Sequence, residues 1–294
     1  MEAEPSFLTQ RQNAVGGTMK IGFIDHFIDE WHANNYPAWI AEASKGQDVI
    51  ALAWAATDKP GGRTTAQWCA DFGVGLADSL QQVADDCDAL VVLSPDNPEH
   101  HPALCAVPFA SGKPVYVDKT FAIDTATARG LFAQAAAGGT PVYSASALRY
   151  ADEILARDAA FANPADVVAV DVRGPGELPN YSVHQLEMVA ALMGTGAKRV
   201  RWEANTLAID FGNRRATITL GADDFAFDAA NRAGQTWTVP VCHNYFPNFI
   251  AAMLEFFHTR EPAVPAAETM EIMAIREAGL AAQKNPGQWV ELPA

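Results

Sequence analysis

Residues 88–119 read DALVVLSPDNPEHHPALCAVPFASGKPVYVDK. An apolar run, DALVVLS, passes through a polar loop into HPALCAVPFA and then into a second apolar run, KPVYVD. Strands that are apolar throughout are covered on both faces, and a helix between two of them is the crossover of a parallel sheet. Working outward, the same grammar holds: MKIGFI, YPAWIAEAS, DVIALAWA and TTAQWCADF precede the stretch, and TATARGLFAQAAA and TPVYS follow it. Residues 19–146 therefore read as a doubly wound α/β domain of the Rossmann type. A ligand of such a sheet sits beyond the carboxyl ends of the strands, so the strand-end residues carry the chemistry.

From 147 to 294 the pattern changes. A helix, ALRYADEILARDAAFA, leads to DVVAVDVRG and to a helix in SVHQLEMVAALMG. RVRWEA, TLAIDFG, RRATITLG, DFAFDAA and QTWTVPV then follow, joined by Gly, Asn and Asp turns. Two helices, FPNFIAAMLEFFH and AAETMEIMAIREAGLAAQ, close an α+β domain with an open, mostly antiparallel sheet. No internal repeat or low-complexity segment interrupts the chain.

The 294 residues carry 35 acids against 20 bases, a formal charge of −15, with 49% hydrophobic residues. That balance supplies no basic surface for nucleic acid or an anionic membrane, and it points to small-molecule partners. Cys69, Cys87, Cys105 and Cys242 form no CxxC pair and read as structural thiols of a reducing compartment. Residues 1–18 lack the pattern of a secretory signal and read as a flexible tail, with Met19 a natural start, and no apolar run reaches the length of a membrane span. The expected location is cytoplasmic.

Residues 94–150 contain Ser94-Pro95, His101, GKPVYVDK ending at Lys119, and Leu148-Arg149-Tyr150. In this order they resemble the Gfo/Idh/MocA oxidoreductases, relatives of glucose–fructose oxidoreductase and inositol dehydrogenase. The likeness continues through YSVHQLEMVAALMG, with His184 and Glu187, and through the closing helices, about 270 residues in all. The resemblance implies NAD or NADP as cofactor, a sugar, cyclitol or related polyol as substrate, and a homodimer or homotetramer. It implies Lys119 and His184 as catalytic residues, with Asn180 at a position where the family commonly has an acid. Ile24, Asp25, His26, Phe27, Ser94, Pro95, His101, Asp118 and Lys119 then border the cofactor. His32, Arg149, Tyr181, His184, Glu187, His243, Asn244 and Tyr245 border the substrate.

The residues themselves support part of this assignment. Lys119 ends a buried strand, where a cation needs a ligand or a carboxylate such as Asp118; the other reading is a surface ion pair. His184 reads as the start of a helix after a Gly/Pro-rich turn, either facing the cleft as an acid–base group or hydrogen-bonded in a structural role. Thr120 stands where the family has proline, and without proline a trans Lys119–Thr120 bond is expected.

IGFIDHFIDEWHANN, residues 21–35, departs further, because a dinucleotide loop wants glycines after its first strand. Three uses of this loop stand open. Asp29 caps the following helix while Trp31 and Tyr36 pack it down; or His26 and His32 join Asp25 or Glu30 in contacting a polyol; or the same side chains hold a metal, although their spacing matches no ligand motif. In HNYF, residues 243–246, Asn244 is either a cleft residue or a helix cap. Two alternatives to an NAD(P)-dependent oxidoreductase follow: a cofactor-free or metal-assisted lyase, hydratase or epimerase of oxidised sugars, and a non-catalytic sugar-binding homologue.

Overall fold

The computed structural model describes residues 17–293, so the part of the expected tail at 1–16 lies outside the described residues. The first half runs β1 (Lys20–Asp25), α1 (Trp31–Ala43), β2 (Val49–Ala55), α2 (Thr65–Phe72), β3 (Gly75–Leu76), α3 (Leu80–Asp86), β4 (Ala89–Val92), α4 (His101–Ala110), β5 (Val115–Val117), α5 (Thr125–Ala137) and β6 (Val142–Tyr143). The six strands are parallel in the order β3-β2-β1-β4-β5-β6. This is the doubly wound sheet expected, and the order reverses between β1 and β4, which opens a crevice at their carboxyl ends. Gly22, inside β1, has a packing reason: a Cβ there would lie 2.3 Å from Val83 Cγ1, so its absence lets α3 lie against the strand.

The second half runs α6 (Asp152–Leu155), β7 (Val167–Gly174), α7 (Leu178–Met193), β8 (Arg199–Glu203), β9 (Thr206–Asp210), β10 (Arg215–Leu220), β11 (Ala226–Asn231), β12 (Thr236–Val239), α8 (Tyr245–Thr259), α9 (Ala266–Gln283) and β13 (Trp289–Glu291). Its seven strands lie in the order β12-β11-β7-β10-β9-β8-β13, antiparallel except for the parallel β7–β10 pair. Burial alternates along β9 and β10, and the inward residues Leu207, Ile209, Ala216 and Ile218 pack with Ile272, Met273 and Ile275 of α9.

Three expectations need correction. The helix expected over 147–162 is broken into a 3-10 turn at Ala147–Tyr150, α6 and a second 3-10 turn at Ala159–Phe161. The Asp152 N–H donates to the His243 carbonyl, and the Asp158 carboxylate accepts from the Ala160 N–H, so local partners replace the helical ladder. The helix expected to begin near His184 begins at Leu178, because Pro179 sits in its first turn, where proline's missing N–H costs nothing. Helix α8 packs on the first sheet, with Phe249 among Tyr36, Tyr116 and Tyr150, so the chain returns to its first layer near its end.

Arg276 of α9 ties the halves further, donating to the carbonyls of Ile123 and Pro179. All four cysteines are buried and unbridged, and burial pushes the Cys87 thiol up to about 11 and Cys242 up to about 12. Among the described residues no helix is long and apolar enough to cross a membrane.

Candidate active site at the switch point

The glycine-poor loop is built from carboxylates that hold the backbone. Asp25 ends β1 fully buried; its Oδ1 accepts from the His26 N–H at 2.6 Å and from the Ser94 hydroxyl at 2.7 Å, while Oδ2 has no partner among the described residues. Burial, and then the charge of Glu30, push Asp25 well above the usual carboxylate range. Glu30, not Asp29, caps α1: its carboxylate accepts from the His32 N–H at 2.7 Å and the Ala33 N–H at 2.5 Å. Asp29 instead accepts from Arg63 Nη2 at 2.7 Å and from the Arg63 backbone N–H at 2.9 Å, which pins the loop to the segment after β2. The His26 ring stacks on His100 at 3.7 Å between centroids.

One residue beyond β5, Asp118 collects three donors. Its Oδ1 accepts from the Tyr116 hydroxyl at 3.1 Å and the Lys119 N–H at 2.8 Å, and its Oδ2 meets His32 Nδ1. Although burial opposes it, His32 beside it holds this carboxyl below its usual range. The Lys119 side chain is 10% exposed, and its Nζ lies 3.9 Å from Asp96, a carboxylate 77% exposed. Asp118 thus holds the Lys119 backbone and attracts its charge at longer range, and among the described residues Asp96 is the one carboxylate within 4.0 Å of the ammonium. The Lys119–Thr120 bond is cis, against the trans bond expected; Asp118 fixes its near side, and His101, bound to the Phe121 carbonyl, fixes the far side.

His184 lies in the second turn of α7, half-buried, with Nδ1 2.6 Å from the Ser146 hydroxyl and its ring edge against Tyr181 and Phe225. Burial first, then the charges of Lys119 and His32, push its pKa well below the usual value. Lys119, His32 and His184 are therefore electrostatic neighbours although they come from three separate segments. Glu187, one turn further along α7, faces Arg149 at 2.9 Å, and Arg149 also meets Glu268 at 2.5 Å. Both Arg149 and Glu187 are thus occupied by partners of opposite charge.

The remaining expected residues divide clearly. Tyr181 and Asn180 are exposed on the first turn of α7. His243 is exposed and pairs with Glu153 at 2.6 Å, and Asn244 donates to Asp152, making no side-chain cap for α8. Tyr245 touches Phe225, one ring away from His184. The Ile24 side chain is buried in β1, and Pro95 is buried in the turn that follows β4. His101 is wholly buried, with its two ring nitrogens on the Phe121 and Leu93 carbonyls, so it binds the strand-end loops together and presents no face to a cofactor. Ser94, at positive φ, holds Asp25 and the His26 N–H.

Sequence reasoning missed Glu30 as the cap, Ser146 as the partner of His184, and Arg63 as the loop's anchor. The first was findable, since an acid directly before a helical run is a capping signal; the other two depend on distant contacts.

Solved structures share this fold. GenD2 from gentamicin A biosynthesis, in complex with NAD, superposes with a TM-score of 0.76 at 14% identity, covering 97% of this chain and 99% of that one. The apo scyllo-inositol dehydrogenase from Lactobacillus casei gives 0.71 at 13% identity, covering 94% and 98%. An oxidoreductase from Agrobacterium radiobacter, in complex with NAD+, L-tartaric acid and magnesium, gives 0.70 at 14% identity, covering 93% and 98%. The fold is the one the Gfo/Idh/MocA resemblance implies. No family model matches the chain, and no curated protein does.

In a dinucleotide fold of glycine type, G-x-G-x-x-G lets the pyrophosphate rest on a helix start; here Asp25, Phe27 and Glu30 stand at that spacing. The two N–H groups an anion would use, those of His32 and Ala33, already bind Glu30. A carboxylate about 4 Å from a phosphate costs roughly 4 kcal/mol at an effective dielectric near 20. A pyrophosphate seated directly on the start of α1 does not fit these residues.

Proposed function

We propose that this chain is an NAD(P)-dependent oxidoreductase acting at a hydroxyl-bearing carbon of a sugar, cyclitol or related polyol. The observation that carries the reading is Lys119: a side chain only 10% exposed at the crevice edge, whose nearest carboxylate is a loose 3.9 Å partner. A cation so poorly matched is suited to an oxygen that gains negative charge during reaction. His184, held low by burial and by Lys119, is a neutral hydrogen-bonding group in the same neighbourhood. The Arg149–Glu187–Glu268 cluster stiffens the helix that carries it. NAD or NADP as the hydride acceptor is supported by fold neighbours that bind NAD, and with Glu30 as it stands the pyrophosphate would lie off the start of α1. Assembly into a homodimer or homotetramer through the outer face of the second sheet belongs to the same reading.

A second reading is favoured by the filled helix start: a lyase, hydratase or epimerase of oxidised sugars in which the same side chains move protons without a dinucleotide. Fluorescence titration with NADH and NADPH, followed by absorbance assays on a panel of inositols and aldoses, separates the two. Saturable binding and turnover that is lost in Lys119→Ala support the oxidoreductase. Absence of binding at millimolar cofactor rejects it in favour of the second reading.

A further inference from the structure

We propose that the two histidines of the pocket are fixed in opposite tautomers, so that His32 Nε2 accepts a proton from the substrate hydroxyl while His184 Nε2–H donates a hydrogen bond to the same oxygen. The assignment rests on the polyol reading for its substrate and on hydrogen bonding alone for its proton positions.

His32 Nδ1 faces Asp118 Oδ2. Asp118 is fully buried and ionised, an acceptor with no proton of its own to offer, so the proton between them belongs to His32 Nδ1. In its neutral form His32 then carries its lone pair on Nε2, for which the described residues offer no donor. Tyr36 stacks on the ring at 5.1 Å, while Trp31 and Phe246 meet it edge-on, so it has little room to flip. This is a carboxylate-oriented imidazole, the arrangement that sets the tautomer of a general base and stabilises its imidazolium form.

His184 has the reverse environment. Its Nδ1 meets a hydroxyl, Ser146 Oγ, at 2.6 Å. That hydroxyl oxygen already accepts from the Leu148 N–H at 3.3 Å, and His184 Nδ1 is the only acceptor among the described residues for its proton. Ser146 therefore donates to Nδ1, which leaves the His184 proton on Nε2. Lys119 and His32, both felt by His184, disfavour a second proton on it.

The proton count closes. The substrate O–H bond breaks, His32 Nε2 gains the proton, and the resulting imidazolium keeps its Nδ1–H on Asp118. The oxygen is left between Lys119 Nζ and His184 Nε2–H, two donors that strengthen as its charge grows. Ser146 is a positioning residue in this scheme and never meets the substrate.

The tautomers are read directly by long-range nitrogen–proton correlation spectra of the full-length protein labelled with 15N-histidine, recorded above neutrality. Its seven histidines are few enough to assign from His32→Gln and His184→Gln variants. The expected spectrum has the His32 proton on Nδ1 and the His184 proton on Nε2. Ser146→Ala turns His184 into a tautomer mixture and leaves His32 unchanged, a result a merely structural serine would not give. Finding His184 protonated on Nδ1, or His32 on Nε2, overturns the proposal. With a polyol that turns over, His32→Gln lowers kcat by roughly 10²–10⁴ with little change in KM, and an unaltered kcat overturns the role of His32 as base. Failure of every polyol rejects the functional reading alone, because the spectrum decides the proton positions without substrate.

Discussion

Arg149 Nη1 lies 2.9 Å from Glu187 Oε2, one turn along α7 from His184, with side chains 10% and 3% exposed. Burial outweighs the attraction of Arg149 and pushes Glu187 up to about 7. A carboxyl whose folded value is raised contributes stability that is fully present below its ordinary value near 4.5 and is lost as pH rises through about 7. Glu187→Gln should therefore flatten the thermal stability curve over that window relative to wild type. Thermal melts at stepped pH check this, and parallel curves for the two proteins would refute it.

Removing the other partner is more costly. Arg149→Leu leaves the buried Glu187 and the half-buried Glu268 without their cation, and the loss of one member of a buried pair such as Arg149–Glu187 is worth about 3–5 kcal/mol. Urea unfolding should show a reduced midpoint, and the double variant Arg149→Leu with Glu187→Leu should recover part of it. No recovery would mean that the pair is not the source of the loss.

Phe249 joins α8 to the first sheet, with Tyr116, Tyr150 and Tyr36 at ring-centroid distances of 5.3, 5.9 and 6.0 Å. Phe249→Ala opens a cavity among rigid rings that cannot collapse into it, at a cost of about 3–5 kcal/mol. Equilibrium unfolding measures it. A loss under about 1 kcal/mol would show that α8 is held elsewhere.

The parts of the molecule legible in the sequence are those whose partners are local or repeated. The uniformly apolar strands and the helices between them define the first sheet, because each element's pattern is set by its own burial. The alternation in TLAID and RATITL does the same for the second sheet. Contacts spanning long separations were not legible: His32 meets Asp118 across 86 residues and Ser146 meets His184 across 38, and nothing near either member announces the other. Pro179 misled the reading of α7, since a proline that reads as a turn is equally at home in a helix's first turn. In the loop after β1 the lack of glycines is plain in the sequence, but of its acids only Asp29 reads as a helix cap, whereas Glu30 makes that cap and Asp25 holds the His26 N–H.

Asp29 shows the consequence for stability. Its Oδ1 accepts from Arg63 Nε at 3.1 Å and Nη2 at 2.7 Å, and although burial opposes it, the hydrogen bonds to Arg63 and Asn34 together hold its carboxyl down to about 2. A lowered folded value gives stability that is present above about 3.8 and lost as pH falls toward 2. Asp29→Asn should destabilise by about 1.5–3 kcal/mol at neutral pH and erase that acid dependence. Melts at neutral and acidic pH test both parts, and an undiminished acid transition would exclude Asp29 as its source.

Glu30 offers the sharpest test of how the crevice treats anions. Replacing Glu30 by Gln removes the charge but keeps only one of the two oxygens that accept separately from the His32 and Ala33 N–H groups, so the helix start should lose about 1–3 kcal/mol. The same change removes a repulsion of roughly 4 kcal/mol for a phosphate about 4 Å away, so the affinity for NADH or NADPH should rise at least tenfold. Burial raises the Glu30 pKa, so wild-type affinity should increase as pH falls and the carboxylate takes up a proton, whereas the Gln variant should lose that dependence. Titrations of both proteins at two pH values decide it. Equal affinities throughout would place any bound pyrophosphate well away from the start of α1.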